Sequence, residues 1–352
     1  MKYIFILGRD PELSVLEIKS YLKARNVKHT ILEISDTALV LKTNKLDKNT
    51  IKHLGGTQKI AKVIKRVEIE FQSNKIKYGV SRYTDEDDSE LKSELKRLFK
   101  AEKIKAALKK SKQNLPYLSP SEAQNTLEFI LYKKYLAQTV QLFNPEEHKF
   151  RDLQRPEQRP LHTISIRLAK ILVNLTETKP KETLLDPFCG IGTVLQEALL
   201  QDINVIGTDR NRKVIKQAKA NLKWIQSKYK TKANYKLLNT DATKVSKEVK
   251  KVDTVASEPY MGPFINKLPS DQEARKTVRE LQPIYEATLK ELKKITKRKI
   301  VIIAPVFRTK TRKRHSLGIE KMLRQLRLRY QEPIIYSASR SKILREIWII
   351  QA

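Results

Sequence analysis

Residues Leu184 to Thr193 read Leu-Leu-Asp-Pro-Phe-Cys-Gly-Ile-Gly-Thr, and no other stretch restricts the fold so tightly. An apolar run ends in an acid and a small-residue turn, after which Val194, Leu195, Ala198 and Leu199 recur at helical spacing. The pattern predicts a strand, a tight loop and a helix start. Gly190 and Gly192 remove side chains, so backbone N–H groups at the helix N-terminus can come close to a ligand. A dinucleotide, a phosphate and S-adenosylmethionine all suit such a loop. The third glycine of a dinucleotide fingerprint is missing, as is the Gly-Lys-Ser/Thr of a phosphate loop. The Asp-Pro-Phe-Cys-Gly run favours the methyl donor.

Around this loop, strand and helix patterns alternate. An amphipathic helix is expected over 164–175, strands over 183–186, 204–208, 234–239, 252–256 and 300–304, and helices over 193–201, 211–225, 272–296 and 317–328. That order implies an α/β fold with a doubly wound, mostly parallel sheet. Two last strands, 333–337 and 344–350, are close enough to form an antiparallel C-terminal hairpin, which points to a methyltransferase rather than a dehydrogenase. Upstream, residues 1–66 read as a small α+β module. Asp10 and Pro11 start its first helix, strands fall over 2–8 and 28–43, and a short helix over 47–54. Residues 67–144 form a second segment, with strands over 67–71, 76–83, 126–131 and 137–143. Between its strands Lys92–Lys112 carries nine Lys or Arg against two acids and reads as a basic helix. The polar, Pro-rich stretch 145–160 reads as a linker into the last domain, 161–352.

Lys and Arg number 72 against 39 Asp and Glu, a net charge of +33. A lysine-rich genome bias is the bland account; a polyanionic partner, nucleic acid above all, is the functional one. No apolar run approaches the ~18 residues of a spanning helix, so no membrane partner is expected. The opening Met1–Asp10 lacks a signal-peptide cleavage site, and Cys189 is the single cysteine. Together these predict a cytoplasmic protein without disulfides or a cysteine-rich zinc site. His162 and His315 have no metal-like companions, so no metal is expected.

Three acids fall at successive strand ends: Asp186, Asp209 in Val-Ile-Gly-Thr-Asp, and Asp241 in Leu-Asn-Thr-Asp-Ala. In a doubly wound sheet these ends line one crevice, and an acid 23 residues past Asp186 suits ribose hydroxyls. Asp241, with Ala242, is placed to meet an adenine amino group, while Asp186 either faces a methionine ammonium or orders the glycine loop. Phe188, Gly190, Gly192 and Thr193 complete the expected cofactor loop. The competing account is that each acid merely caps the next helix.

The fourth strand leads into Ser257-Glu258-Pro259-Tyr260. A polar side chain and a backbone carbonyl there can accept the two N–H hydrogens of an exocyclic amine, and Tyr260 can stack a base drawn out of its neighbours. Methyl transfer then needs mainly proximity and orientation. Cys189 lies in the cofactor loop and reads as a packed thiol, not a nucleophile. Arg308–Arg329 carries nine Lys or Arg against one Glu and reads as a contact for the substrate backbone.

These residues together resemble the THUMP-containing RNA methyltransferases, in particular the tRNA guanosine-10 N2-methyltransferase family of archaea and eukaryotes. Leu184–Thr193 with Gly207-Thr208-Asp209 carries the strongest likeness. Arg151-Asp152 with Arg155-Pro156, Arg167–Leu175, Leu7–Ser14 and Gly55–Ile60 add to it. The resemblance implies a ferredoxin-like N-terminal domain, a THUMP domain gripping the tRNA acceptor end, and a Rossmann-like class I methyltransferase domain using S-adenosylmethionine. The family's Asp/Asn-Pro-Pro-Tyr is Ser257-Glu258-Pro259-Tyr260 here, with Ser257 at the acceptor position and Glu258 at the first proline. The expected activity is N2-methylation of a guanosine in tRNA or another structured RNA. Methylation of an rRNA or DNA amine stays open, as does a catalytically silent RNA-binding protein. A protein activator and a homodimer are likewise left open.

Overall fold

The computed structural model describes residues 1–67, 74–159, 164–337 and 341–352. The strand expected over 67–71 (except Val67) and His162 lie outside them. The chain divides into two compact units, one of Met1–Val15 and Asn26–Lys149, the other of Leu16–Arg25 and Phe150–Ala352.

The first unit contains β1 (Lys2–Leu7), the opening of α1 (Pro11–Ala24), β2 (His29–Ile34), β3 (Ala38–Thr43), α2 (Thr50–His53), β4 (Thr57–Val63), β5 (Lys75–Arg82), α3 (Ser89–Ala101), β6 (Lys105–Leu108), α4 (Pro120–Ala123), β7 (Leu127–Tyr132) and β8 (Tyr135–Leu142). Its strands join one sheet in the order β2-β3-β1-β4-β8-β7-β5-β6. The sheet is continuous across residues 66 and 67, because β4 pairs with β8. Leu91, Leu95 and Phe99, four residues apart on α3, bury one face against Tyr78 and Phe129.

Two expectations change here. The basic helix stops at Ala101; Lys103 turns left-handed at φ 54°, and Lys105–Leu108 becomes a strand parallel to β5. The strand wins because it adds a hydrogen-bonded edge to the sheet, a gain that local charge patterning does not reveal. The linker stretch 145–160 holds a ten-residue helix, α5 (Pro145–Gln154).

The second unit continues with α6 (Ile166–Leu175), β9 (Thr183–Asp186), α7 (Thr193–Leu199), β10 (Asn204–Asp209), α8 (Arg212–Tyr229), β11 (Tyr235–Asn239), β12 (Val252–Ser257), α9 (Asp271–Ile295), β13 (Thr296–Arg308), β14 (Arg314–Ser316), α10 (Ile319–Gln325), β15 (Arg329–Tyr330), β16 (Ile334–Tyr336) and β17 (Ile343–Gln351). The order is β11-β10-β9-β12-β13-β17-β15. The first five strands are parallel and β17 runs against β13. This is the α/β architecture expected, and β16 pairs antiparallel with β17, Ile334 opposite Ile347, as the hairpin reading requires.

Helix α9 begins with a capping box between Ser270 and Glu273. It buries Ala274, Val278, Leu281, Tyr285, Leu289 and Leu292 against the sheet residues Leu185, Val255, Ile300 and Ile302. Strand β13 outruns its parallel neighbour: β12 ends where Ser257 meets Ile302, whereas β13 goes on to Arg308, still paired with β17 and then with β14.

Gly207 on β10 marks where packing is tightest. A Cβ there would lie 2.4 Å from Leu195 Cδ1 and 2.9 Å from Leu237 Cδ2, and Leu195 is fully buried with nowhere to go. Gly207→Val should therefore cost about 2–3 kcal/mol of stability through overpacking. Urea unfolding would show this as a lowered midpoint at unchanged slope; an unchanged midpoint would mean that the neighbours yield freely.

Candidate active site

The parallel strands deliver their ends to one side of the sheet, and a cavity of about 680 Å³ opens there. Phe188 and Gly190 from the loop after β9, Asp209 at the end of β10, and Asp241 with Ala242 after β11 line one half. Glu258, Pro259 and Tyr260, after β12, line the other. Eight residues singled out from the sequence thus share one crevice.

Gly190 sits at φ +52°, and a Cβ there would meet nothing within 4 Å. The loop backbone is bare toward the crevice, as close ligand approach requires. Asp209 ties the loop down: Oδ2 accepts from Gly190 N at 3.3 Å and Oδ1 from Asn211 N at 2.8 Å. Asp241 accepts from Thr243 N and Oγ1 at 2.9 and 2.7 Å, so it does cap the following 3-10 turn while also facing the cavity. Its burial favours the neutral acid, but the Thr243 hydrogen bonds and the Arg210 and Lys244 charges outweigh this, and its pKa is lowered. A bare glycine loop beside two strand-end carboxylates fits S-adenosylmethionine: backbone for the amino-acid part, acids for ribose and adenine.

Four expected residues stand behind the crevice wall. Asp186 and Ser257 are buried, and Ser257 Oγ donates to Asp186 Oδ1 at 2.6 Å. Asp186 also accepts from Phe188 N at 3.1 Å, so of its two readings it orders the loop. Gly192, at φ +87°, caps α7 and lets the loop pack on Ala218 and Leu222. Thr193 Oγ1 accepts from Arg155 Nη1 at 3.2 Å. Ser257 was expected to accept from the substrate amine; here its hydroxyl is spent on Asp186, because the strand's alternation turns it inward.

Sequence reading missed the groups that fix the Glu-Pro-Tyr segment. Arg345 Nε, on β17, donates to Glu258 Oε1 at 2.7 Å. Tyr285 OH, on α9, lies 3.4 Å from the Tyr260 carbonyl and 3.3 Å from the Ile303 carbonyl, with one hydrogen to donate between them. Arg345 was visible beside Glu346 as one of two charges inside the mostly apolar Ile343–Ile350 run; its partner Glu258 was not. Tyr260 is left 49% exposed and free to meet a planar group. Cys189 is buried, and burial pushes its thiol pKa well up, so it is no nucleophile.

The strand order, the glycine loop and the acid-lined crevice define a class I methyltransferase domain. An RMKL-like methyltransferase domain family matches residues 154–322, and a DNA methylase family for N6 and N4 amino positions matches residues 23–220, more than half of the chain. The chain belongs to the DNA methylase family, whose model covers more than half of it; the RMKL-like match covers just under half. A tRNA (guanine(10)-N2)-dimethyltransferase of Methanothermobacter thermautotrophicus is 29% identical over 140 residues, 39% of each chain. One from Pyrococcus abyssi is 29% identical over 154 residues, 43% of this chain and 41% of the relative. The chain thus aligns with about two fifths of the length of these curated relatives. Among solved structures, TrmN from Thermus thermophilus has a TM-score of 0.52 at 13% identity, covering 100% of both chains. A possible methylase from Clostridium difficile 630 has 0.51 at 14%, covering 99% of this chain and 98% of that one. Both share the fold.

Burial pushes the Asp186 carboxyl from its ordinary 3.8 up to about 7; the Ser257 and Phe188 hydrogen bonds oppose the shift, and the Asp209 and Glu258 charges add to it. Between these two values the folded chain keeps a proton that the unfolded chain has released. Stability therefore falls as pH rises through that window and levels off above it. Asp186→Asn removes the proton with little change of shape. Its unfolding free energy should gain on the wild type by about 2–4 kcal/mol from pH 4 to 7.5. Parallel pH profiles for the two proteins would sink this account.

Proposed function

We propose that this chain is an S-adenosylmethionine-dependent methyltransferase that modifies the N2 amine of a guanosine in tRNA. The observation that carries the reading is one crevice whose two halves are an acid-lined glycine loop and a strand-end Glu-Pro-Tyr. When bound, S-adenosylmethionine supplies an electrophilic methyl group. Asp209 takes the ribose hydroxyls, Asp241 and Ala242 the adenine, and the Asp186–Thr193 loop the amino-acid end.

Tyr260 stacks the target base, with the Tyr285 hydroxyl beside its backbone carbonyl. The Glu258 carboxylate accepts from the substrate N–H groups, and Arg345 keeps it pointed into the crevice. Ser257 is a positioning residue, acting through Asp186. The tRNA guanine-N2 relatives supply the target nucleotide for this reading. The first unit is proposed to dock the RNA, ferredoxin-like over 1–66 and THUMP-like over 67–144, while the +33 charge of the whole chain supplies the attractive field. Among the described residues no helix is long and apolar enough to cross a membrane.

Purified protein, labelled S-adenosylmethionine and bulk tRNA provide the test, with a DNA duplex as a second arm because of the DNA methylase match. Label should enter tRNA as N2-methylguanosine at one position. Tyr260→Ala should cut kcat/KM by about 10- to 100-fold, and Asp209→Ala should raise the cofactor Kd by about tenfold or more. Transfer to DNA alone, or RNA binding without transfer, would overturn the assignment.

A further inference from the structure

The second unit has another concave site, none of whose lining residues belongs to the crevice. A cavity of about 410 Å³ opens where the first turns of α9 meet β14. Arg275 and Arg279 stand four residues apart on α9, so they share one helix face. Arg314 joins them from β14, with His315 beside it. Val278, 9% exposed, gives the hollow an apolar floor.

Three guanidiniums round one hollow repel each other unless something negative sits among them. Among the described residues no carboxylate forms an ion pair with any of the three. Two acids of the first turn of α9 are already engaged. Asp271 Oδ1 meets His315 Nε2 at 2.8 Å and its Oδ2 accepts from Thr311 at 2.7 Å, while Glu273 closes the capping box with Ser270. His315 is thereby fixed in place, and the arginines keep their full charge for an outside ligand. Arginine forks match the oxygens of a phosphate in geometry as well as charge.

Position selects among phosphates. Helix α9 begins at the end of the loop that carries Tyr260. Gly262 of that loop lies against α9, so closely that a Cβ would come 2.9 Å from Thr277 Cγ2. Strand β14 hangs on the part of β13 that projects past the end of β12 and pairs with the crevice-lining Ile343 and Arg345. We propose that this second cavity binds a backbone phosphate of the RNA, next to the nucleotide presented to Tyr260. The inference rests on the RNA reading above, and its test separates the two.

The test uses the full chain with Arg275→Gln/Arg279→Gln, against Lys219→Gln/Lys223→Gln, an equally spaced exposed pair on α8. tRNA affinity is measured from about 50 to 300 mM salt. The arginine pair should raise Kd about tenfold and flatten the log Kd against log salt slope by about 1.5, with little change for the lysine pair. KM for tRNA should rise while kcat and the S-adenosylmethionine Kd stay put. Equal effects from the two pairs, or none from the arginines, would overturn the site while wild-type transfer leaves the RNA reading standing. Tight binding of inorganic phosphate with an unchanged tRNA slope would mean a free-phosphate site and overturn the RNA contact. A wild type that binds no RNA would overturn both.

Discussion

Asp186 stands at the end of the central strand β9, buried, with Ser257 from the neighbouring strand and the Phe188 amide as its hydrogen-bond donors. Burying a carboxyl without such partners costs several kcal/mol. Strands β9 and β12 are therefore held in the register that makes these bonds, and the turn after each strand inherits its starting direction. The glycine loop leaves from one side of the pair and Glu258-Pro259-Tyr260 from the other. The distance between the two halves of the crevice is set by this buried contact.

The rest of the crevice adds electrostatic order to that geometry. Asp209 braces the loop through Gly190 and Asn211, and Asp241 is both a turn cap and a crevice wall. On the opposite side the Arg345–Glu258 pair, with side chains 20% and 13% exposed, fixes a charge where water is partly excluded. The carboxylates that face the crevice are thus already hydrogen-bonded, with acceptor capacity to spare.

Much of this was readable from the residues because the signals were local. The Leu184–Thr193 run, the acids one strand apart and the apolar spacing of α9 each depend on neighbours close in sequence. What escaped depends on partners far away in the chain. Ser257 looked like a crevice residue until β9 offered it Asp186, 71 positions away. Strand β6 hid in a lysine-rich run, since its reason to exist is the edge of β5, and the left-handed Lys103 that ends α3 has no glycine to announce it. Nothing in the local pattern of α9 singles out Arg275 and Arg279; only the return of the chain through β14 brings Arg314 and His315 to them.

The projecting end of β13 has a thermodynamic consequence. From Ala304 onward it is laced to β17 on one side and from Val306 to β14 on the other, so Arg314, His315 and Arg345 ride on a three-stranded ledge rather than on a loop. Backbone that is already ordered gives up little conformational freedom when a ligand arrives. Whatever settles against the ledge meets a surface whose ordering cost was met during folding, and its residence there is set by contacts more than by rearrangement.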